Sequence, residues 1–429
     1  MKTILKNLNI CVGADSGKIK FILNGQIHVD GNRILYAGKE SDAPDFVADK
    51  IVDADGALAM PGMNNIHTHT PMTLLRSVGG NLSLEDWLNK AIFPREAKLS
   101  DDLVYTASLL GIMEMLRYGT CNFCDMYMHM GAEAKAVRDF KMRATLTHGA
   151  VSFDGSLDDY YEGLKFALDW NNKEEGRIKT GLAPHSCYLT TEDLLTHAAS
   201  DAQKNNLPIH IHVSETKVEN KTVIDRFNST PVELLNKVGA LENRVIAAHC
   251  VWLSDSDINI VKNKNFHVAH NPISNLKLAS GIAPVAKFLQ NGINVGIGTD
   301  GVASNNNLNL WEEMRAMPLL QKGITGDPTL ISPYEALYAA TVAGAKALGY
   351  DDLGLIKKGY IADLFLVDMN NASSYPANSL EDDIVYALQG ADVKLTMVDG
   401  NILYENGEYP GFNKKEIFAE AIKAAKALD

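Results

Sequence analysis

The chain is predicted to be an α/β protein, a (β/α)8 barrel of the TIM type with a small β-sandwich built from both chain ends. Two observations carry that expectation. From about Gly56, short β-branched or apolar runs alternate with longer amphipathic stretches, the signature of strand-helix units laid down on a parallel sheet. Read in order, the candidate strands end near His67, Asp125, His148, His185, His212, His249, His270 and Asp300. Each of these residues can bind a ligand or move a proton, and a barrel builds its site where its strands end.

Residues 1–55 form the first part of the sandwich, where Asn24-Gly25 and Asp30-Gly31 separate apolar runs as hairpin turns do. The barrel follows over residues 56–345. One of its helices is legible in detail: Ser100 is the N-cap, Leu103, Ala107, Leu110 and Met113 share a face, and Gly119 is the stop. Residues 346–429 return to the sandwich through strand-like runs at Gly359 to Val367 and Val393 to Tyr404, then close with a helix from about Lys414 to Ala427. No low-complexity tract, long linker or fixed-period repeat interrupts this order, which excludes solenoids.

With 429 residues, 46% hydrophobic and 22% charged, the chain has the make-up of a globular protein rather than a disordered or fibrous one. A formal net charge of -13 repels phosphate backbones and anionic lipid, and no dense Lys/Arg stripe overrides it. A small uncharged or cationic ligand therefore fits better than nucleic acid. Met1 to Val12 lacks the continuous apolar stretch of a signal peptide, and no later run is long enough to span a bilayer. A cytoplasmic protein without a membrane partner is expected. The five cysteines, Cys11, Cys121, Cys124, Cys187 and Cys250, are odd in number and scattered, which argues against a disulfide framework.

His67-Thr68-His69 closes an apolar strand. Side chains at i and i+2 of a strand share a face, so both imidazoles can meet one ion. His212 ends the run Leu207 to Val213, and Glu215 follows close behind, the spacing that sets a metal ligand beside a general acid or base. His249 and Asp300 end two more apolar runs, Val245 to Ala248 and Ile293 to Thr299. Taken singly, each of these residues reads better as a hydrogen-bonded core group or a helix cap. Four strand ends repeating one pattern favour a shared site.

The segments PGMNNIHTHTPM, HVSE, AAHC, HNPISNLKLASGIAP and GTDGVASNN resemble the amidohydrolase superfamily, and within it the 5'-methylthioadenosine/S-adenosylhomocysteine deaminase family. The likeness runs nearly end to end, as far as GLIKKGYIADLFLVD. It implies a hydrolase of C–N bonds in cyclic amidines, with one divalent metal held by His67, His69, His212 and Asp300. Zinc is the first choice, and iron, manganese, cobalt and nickel also suit such donors. The resemblance makes Glu215 the proton shuttle, His249 the group that orients or polarises the attacking water, and Asp300 the carrier of a second proton to the leaving amine. Members with two metals usually place a modified lysine at the end of the fourth strand. This chain has Gly181-Leu182-Ala183-Pro184-His185 there, so a mononuclear site is implied.

The implied substrate is a 5'-substituted adenosine (5'-methylthioadenosine, 5'-deoxyadenosine, S-adenosylhomocysteine or adenosine itself), converted to the inosine analogue and ammonia. By the same resemblance Glu96 meets the ribose hydroxyls and His185 is a further substrate contact, beside Glu215 and Asp300. Read from the residues alone, Glu96 is an exposed charge near a helix start, and Trp87 is a core or lid aromatic that could also wall a pocket. Members that take S-adenosylhomocysteine use arginines around the third strand. Here Arg143 lies early in that strand, His148 stands near the expected position and Arg177 precedes the next strand, so a compact 5'-substituent is favoured. The alternatives are another reaction at the same metal, such as guanine, cytosine or pterin deamination or triazine hydrolysis, and a catalytically silent metal-binding scaffold. Intact Glu215 and His249 argue against the scaffold. Large barrels with accessory sheets often pair, so a homo-oligomer is a further expectation.

Other patterns carry less. Gly296 to Gly301 matches a dinucleotide fingerprint but runs into Ala303-Ser304-Asn305-Asn306-Asn307 rather than a helix; its glycines are expected to permit close approach at the strand mouth. Cys121 and Cys124 have zinc-ribbon spacing without a second pair and are expected to be packing. The H-x-E and P-C-x-x-C pairing of the cytidine-deaminase fold is absent. His210 is expected to be a buried, hydrogen-bonded ring, and neither His267 nor His270 a ligand, while Asn271 and Ser274 are candidates to line the pocket.

Overall fold

A computed structural model describes residues 1–80, 82, 86–152 and 154–428. Eight parallel strands, Met63–Thr68, Thr120–Tyr127, Arg143–Ala150, Ile178–Pro184, Ile209–Val213, Val245–His249, Phe266–His270 and Asn294–Ile297, pair in sequence order. They are buried almost throughout, as strands covered on both faces must be, which accounts for their near-continuous apolar text. The last strand meets the first at the mouth, where the Asp300 amide donates to the His67 carbonyl and the Thr299 amide to Asn65 Oδ1, both at 3.0 Å. Gly298 permits that approach, because a β-carbon there would stand 2.7 Å from the His67 carbonyl oxygen and 2.9 Å from its nitrogen. The glycine-rich run is thus the barrel's seam. The eighth strand stops at Ile297, and Asp300 rides beyond it on this seam.

The helix Asp101–Arg117 begins as expected, with Ser100 Oγ accepting from the Leu103 amide, and the chain reverses at Gly119, φ +80°. Of its expected face Ala107 and Met113 are buried and Leu103 and Leu110 half-buried, and the buried surface is wider, taking in Val104, Ser108, Ile112 and Met115, because both the barrel strand Thr120–Tyr127 and the closing helix Lys414–Leu428 pack on it.

Both chain ends build one mixed eight-stranded sheet. Lys2–Asp15, Lys18–Asp30, Arg33–Lys39, Lys50–Asp53 and Leu58–Pro61 come from the start, and Leu364–Val367, Val393–Val398 and Asn401–Glu405 from the end. It encloses a core of its own that includes Leu5, Ile10, Ile27, Leu364 and Met397. Leu58–Pro61, past the division expected at residue 55, pairs with Lys2–Asp15 and with Leu364–Val367. Asp30-Gly31 opens a hairpin turn, but Asn24-Gly25 does not: it lies inside Lys18–Asp30, where the pairing shifts register. Asn24 takes φ +53° and its amide donates to Asn9 Oδ1 at 3.1 Å, so the left-handed preference of Asn-Gly serves a bulge. The turn before it is Ser16-Gly17. The run from Gly359 becomes strand only at Leu364.

A buried ion pair ties this sheet to the barrel floor. At the start of the third barrel strand, Arg143 Nε meets Asp363 Oδ2 at 2.7 Å and its Nη2 meets Asp399 Oδ1 at 2.8 Å. Arg177 approaches the same Asp399 at 3.8 Å. Both arginines are therefore committed at the end opposite the strand mouths. Among the described residues no helix is long and apolar enough to cross a membrane.

Candidate active site

At the strand mouths, residues from strands far apart in sequence converge. The nearest ring nitrogens of His67, His69 and His212 lie within 4.8 Å of one another, as do the donor atoms of His67, His249 and Asp300. Asp300 Oδ1 stands 3.4 Å from His67 Nε2 and 3.2 Å from His69 Nε2.

Each imidazole is oriented from behind. His69 Nδ1 donates to the Met126 carbonyl at 2.5 Å and His212 Nδ1 to the His185 carbonyl at 2.8 Å, leaving both Nε2 lone pairs toward the centre. For His67 a chain of bonds decides. The Asp125 carbonyl can only accept, so Thr147 Oγ1 donates to it at 2.6 Å and accepts from His210 Nδ1 at 3.1 Å. His210 Nε2 then accepts from His67 Nδ1 at 2.8 Å. That leaves His67 Nε2 buried without a hydrogen-bond partner, the state of a ligating nitrogen. His210 is buried as expected, and it also sets the tautomer of His67.

The electrostatics agree with a cation site. Burial pushes His67 down to about 4; burial and neighbouring imidazoles push His185 down to about 3 and His212 well below the ordinary range. His69 moves the other way, up to about 9: burial opposes its charge, and the adjacent Asp300 carboxylate outweighs burial. Burial likewise raises the Asp300 carboxyl, but the adjacent His67 and His69 imidazoles outweigh it and hold the group well below the usual carboxylate range. Three imidazoles and a buried carboxylate converging on one point are a donor set that fits one divalent cation.

Glu215 and His249 flank this cluster. Ser280 Oγ donates to Glu215 Oε1 at 2.8 Å, and Glu215 Oε2 lies 3.9 Å from His249 Nε2. His249 Nδ1 donates to Asn275 Oδ1 at 2.8 Å. Asp300 Oδ2 accepts from Ser274 at 2.6 Å and from Ser304 at 3.0 Å. Ser214, His249 and Asp300 take φ of +53°, +72° and +59°, a left-handed strain that non-glycine residues hold only where their surroundings fix them. Sequence reading missed Ser280, Asn275 and Glu219. The Glu219 carboxylate accepts from the Ser214 and Glu215 amides at 2.9 and 2.6 Å, and burial, then the charge of Glu215, pushes it up to about 7. Its signal was present as Thr216-x-x-Glu219, a helix-start pattern.

These groups open into a cavity of about 530 Å³. Glu96 lines it, and the exposed charge read from the residues alone is corrected: the side chain is buried and accepts from the Tyr127 hydroxyl at 2.6 Å, while burial raises its carboxyl. A π-helical turn, Trp87–Ile92, leads into Phe93–Glu96 and also sets Trp87 in the cavity wall. His185 lines the cavity with its ring 4.5 Å from that of His212. His267 sits apart, bonded to Asn265 at 2.8 Å and Asn294 at 3.0 Å, and His270 is buried outside the cavity lining. Cys121 Sγ points to the Met397 carbonyl at 3.5 Å and Cys124 Sγ to His210 at 3.4 Å, so the two thiols face different neighbours.

Comparison with known proteins agrees with this arrangement. A family model described as the amidohydrolase family matches residues 58–403. A 5'-deoxyadenosine deaminase of Methanosarcina acetivorans is 41% identical, over 99% of this chain and 98% of its own length. A 5-methylthioadenosine/S-adenosylhomocysteine deaminase of Acetivibrio thermocellus is 45% identical over 100% of both chains. Among solved structures, an adenosine deaminase of Xanthomonas campestris with bound zinc superposes with a TM-score of 0.93 at 28% identity, covering 99% of this chain and 98% of that one. With the barrel, its strand-end cluster and full-length likeness in agreement, the chain belongs to the amidohydrolase family.

Proposed function

We propose that the chain is a hydrolytic deaminase of 5'-substituted adenosines, replacing the 6-amino group by oxygen and releasing ammonia. The observation that carries this reading is one cavity lined both by the histidine–aspartate cluster with Glu215 and by Glu96, a buried carboxylate able to accept from sugar hydroxyls. The full-length relatives, named for 5'-deoxyadenosine or for 5-methylthioadenosine and S-adenosylhomocysteine, support it.

His67, His69, His212 and Asp300 would hold one divalent ion. Zinc is our first assignment because a solved relative carries it; iron, manganese, cobalt and nickel suit the same donors. The fourth strand ends on Pro184-His185 rather than on a lysine, which supports one ion instead of two. Such an ion lowers the pKa of water toward neutrality and so supplies a nucleophile near pH 7.

Glu215 takes the first proton of the attacking water and delivers it to a ring nitrogen of the base. Ser280 holds one of its oxygens and leaves the other toward the centre. His249, braced by Asn275, orients the water. Asp300, braced by Ser274 and Ser304, carries the second proton to the leaving amine. The water oxygen ends on the purine, and its two hydrogens end on the ring nitrogen and on ammonia. Glu96 binds the ribose hydroxyls and His185 contacts the substrate beside the cluster.

The test is ammonia release and ultraviolet change with purified, metal-analysed protein and adenosine, 5'-methylthioadenosine, 5'-deoxyadenosine, S-adenosylhomocysteine, guanine and cytosine. Adenosine compounds are expected to lose ammonia. Turnover of a free base with none of the adenosines would overturn the substrate assignment.

A further inference from the structure

Four carboxylates line the cavity: Glu96, Asp159, Glu215 and Asp300. Three have work in the reaction just described, and Asp159 has none. It sits in the first turn of the helix Asp158–Trp170 and is fixed from two sides, by His148 Nε2 donating to Oδ1 at 2.6 Å and by the Val151 amide donating to Oδ2 at 2.9 Å. Its side chain keeps 38% of its surface exposed. Burial raises its carboxyl, but these two bonds outweigh burial and hold it below its ordinary range, so it is ionised at neutral pH. Among the described residues lining the cavity there is no lysine or arginine. Arg143 and Arg177, which flank this region in sequence, are bound to Asp363 and Asp399 at the barrel floor.

The strand mouths give the ligand a direction. On the deaminase reading, the purine would be read at the mouths of the first, fifth and eighth strands and the sugar at Glu96, which is bonded to Tyr127 of the second. The mouth of the third, whose His148 and Asp159 line the same cavity, would then receive the 5'-substituent. On the strength of the deaminase reading, we propose that Asp159, fixed by His148 and the Val151 amide, selects the 5'-substituent by charge, admitting neutral or cationic groups and refusing anionic ones. An anionic substituent meets a carboxylate with no lysine or arginine in the described cavity lining to offset it, and such like-charge contacts are strongly discriminating. A 5'-ammonium gains a charge-assisted hydrogen bond at the same place.

The test uses three nucleosides that share base and sugar: 5'-deoxyadenosine, 5'-amino-5'-deoxyadenosine and adenosine 5'-carboxylate. With the metal-loaded protein near neutral pH and at low salt, kcat/KM for the amine is expected to equal or exceed that for 5'-deoxyadenosine. The value for the carboxylate is expected to be lower by at least roughly tenfold. Raising the salt to about 0.5 M should narrow that spread in the unsubstituted protein, and Asp159→Asn should narrow it further. Equal values for all three, a preference for the carboxylate, or a spread that neither salt nor Asp159→Asn changes would overturn the assignment. If 5'-deoxyadenosine itself loses no ammonia, the deaminase reading fails. The Kd of each nucleoside, by equilibrium dialysis, then decides the charge assignment separately: the same order supports it and equal values overturn it.

Discussion

His210 contributes no atom to the proposed metal cradle, yet it determines which nitrogen of His67 faces that cradle. With Thr147 spending its proton on the Asp125 carbonyl, the relay runs one way and leaves His67 Nε2 as the lone pair. Groups that orient a ligand in this manner typically contribute about 10–100-fold in metal affinity. His210→Ala is therefore expected to weaken zinc binding by about that factor in a chelator competition, with His210→Gln, which keeps an acceptor, recovering part of it. Equal affinity in all three proteins would show that the relay is idle. At this scale the clustering of His67, His69, His212 and Asp300 was legible, because a strand repeats every second residue and all four fall at run ends. Asn275 and Ser280 were not, since Asn275 reaches His249 from the short helix Pro272–Lys277 and Ser280 reaches Glu215 from the loop after it, and neither segment is long enough to carry a periodic signal.

At the scale of elements, the loop after the fifth strand is shaped by the helix that follows it, Lys217–Phe227. Glu219 reaches back from its first turn to hold the Ser214 and Glu215 amides. Its carboxyl stands at about 7 in the fold against an ordinary 4.5. As pH rises from 4.5 toward 7, the unfolded chain gives up that proton while the native state keeps it, so the stability this group confers at low pH is lost over that window. In urea unfolding, Glu219→Gln is expected to show a smaller fall in stability between about pH 4.5 and 7 than the unsubstituted protein; identical slopes would mean the carboxyl is not raised. Elements were legible where local chemistry has one solution, as in the Ser100 cap. They were misread where it has two: Asn-Gly satisfies a hairpin turn and a bulge equally, and only the long pairing of Lys2–Asp15 with Lys18–Asp30 decides between them.

Across the whole molecule, barrel and chain-end sheet are joined through Arg143, whose guanidinium is buried against Asp363 and Asp399. Removing one partner of such a group strands the buried charge of the others, at a cost of about 3–5 kcal/mol. Arg143→Ala is expected to lose about that much in denaturant unfolding while the folded fraction keeps its metal. A loss below about 1 kcal/mol would assign the pair to the class of weak surface bridges. The fold class was legible because strands buried on both faces write continuous apolar text. The pairing of Leu58–Pro61 with Leu364–Val367 was not, since partners separated by the entire barrel leave no mark on either local sequence. On the proposed reading, this barrel positions one metal with Glu215 and Asp300 as proton carriers for deamination. Glu215→Gln, assayed for bound metal and for ammonia from 5'-deoxyadenosine, tests it most directly. The expected result is one divalent ion per chain, as in the unsubstituted protein, with kcat reduced by about 10²–10⁴-fold. Turnover within about twofold of the unsubstituted protein, well short of that loss, would contradict it.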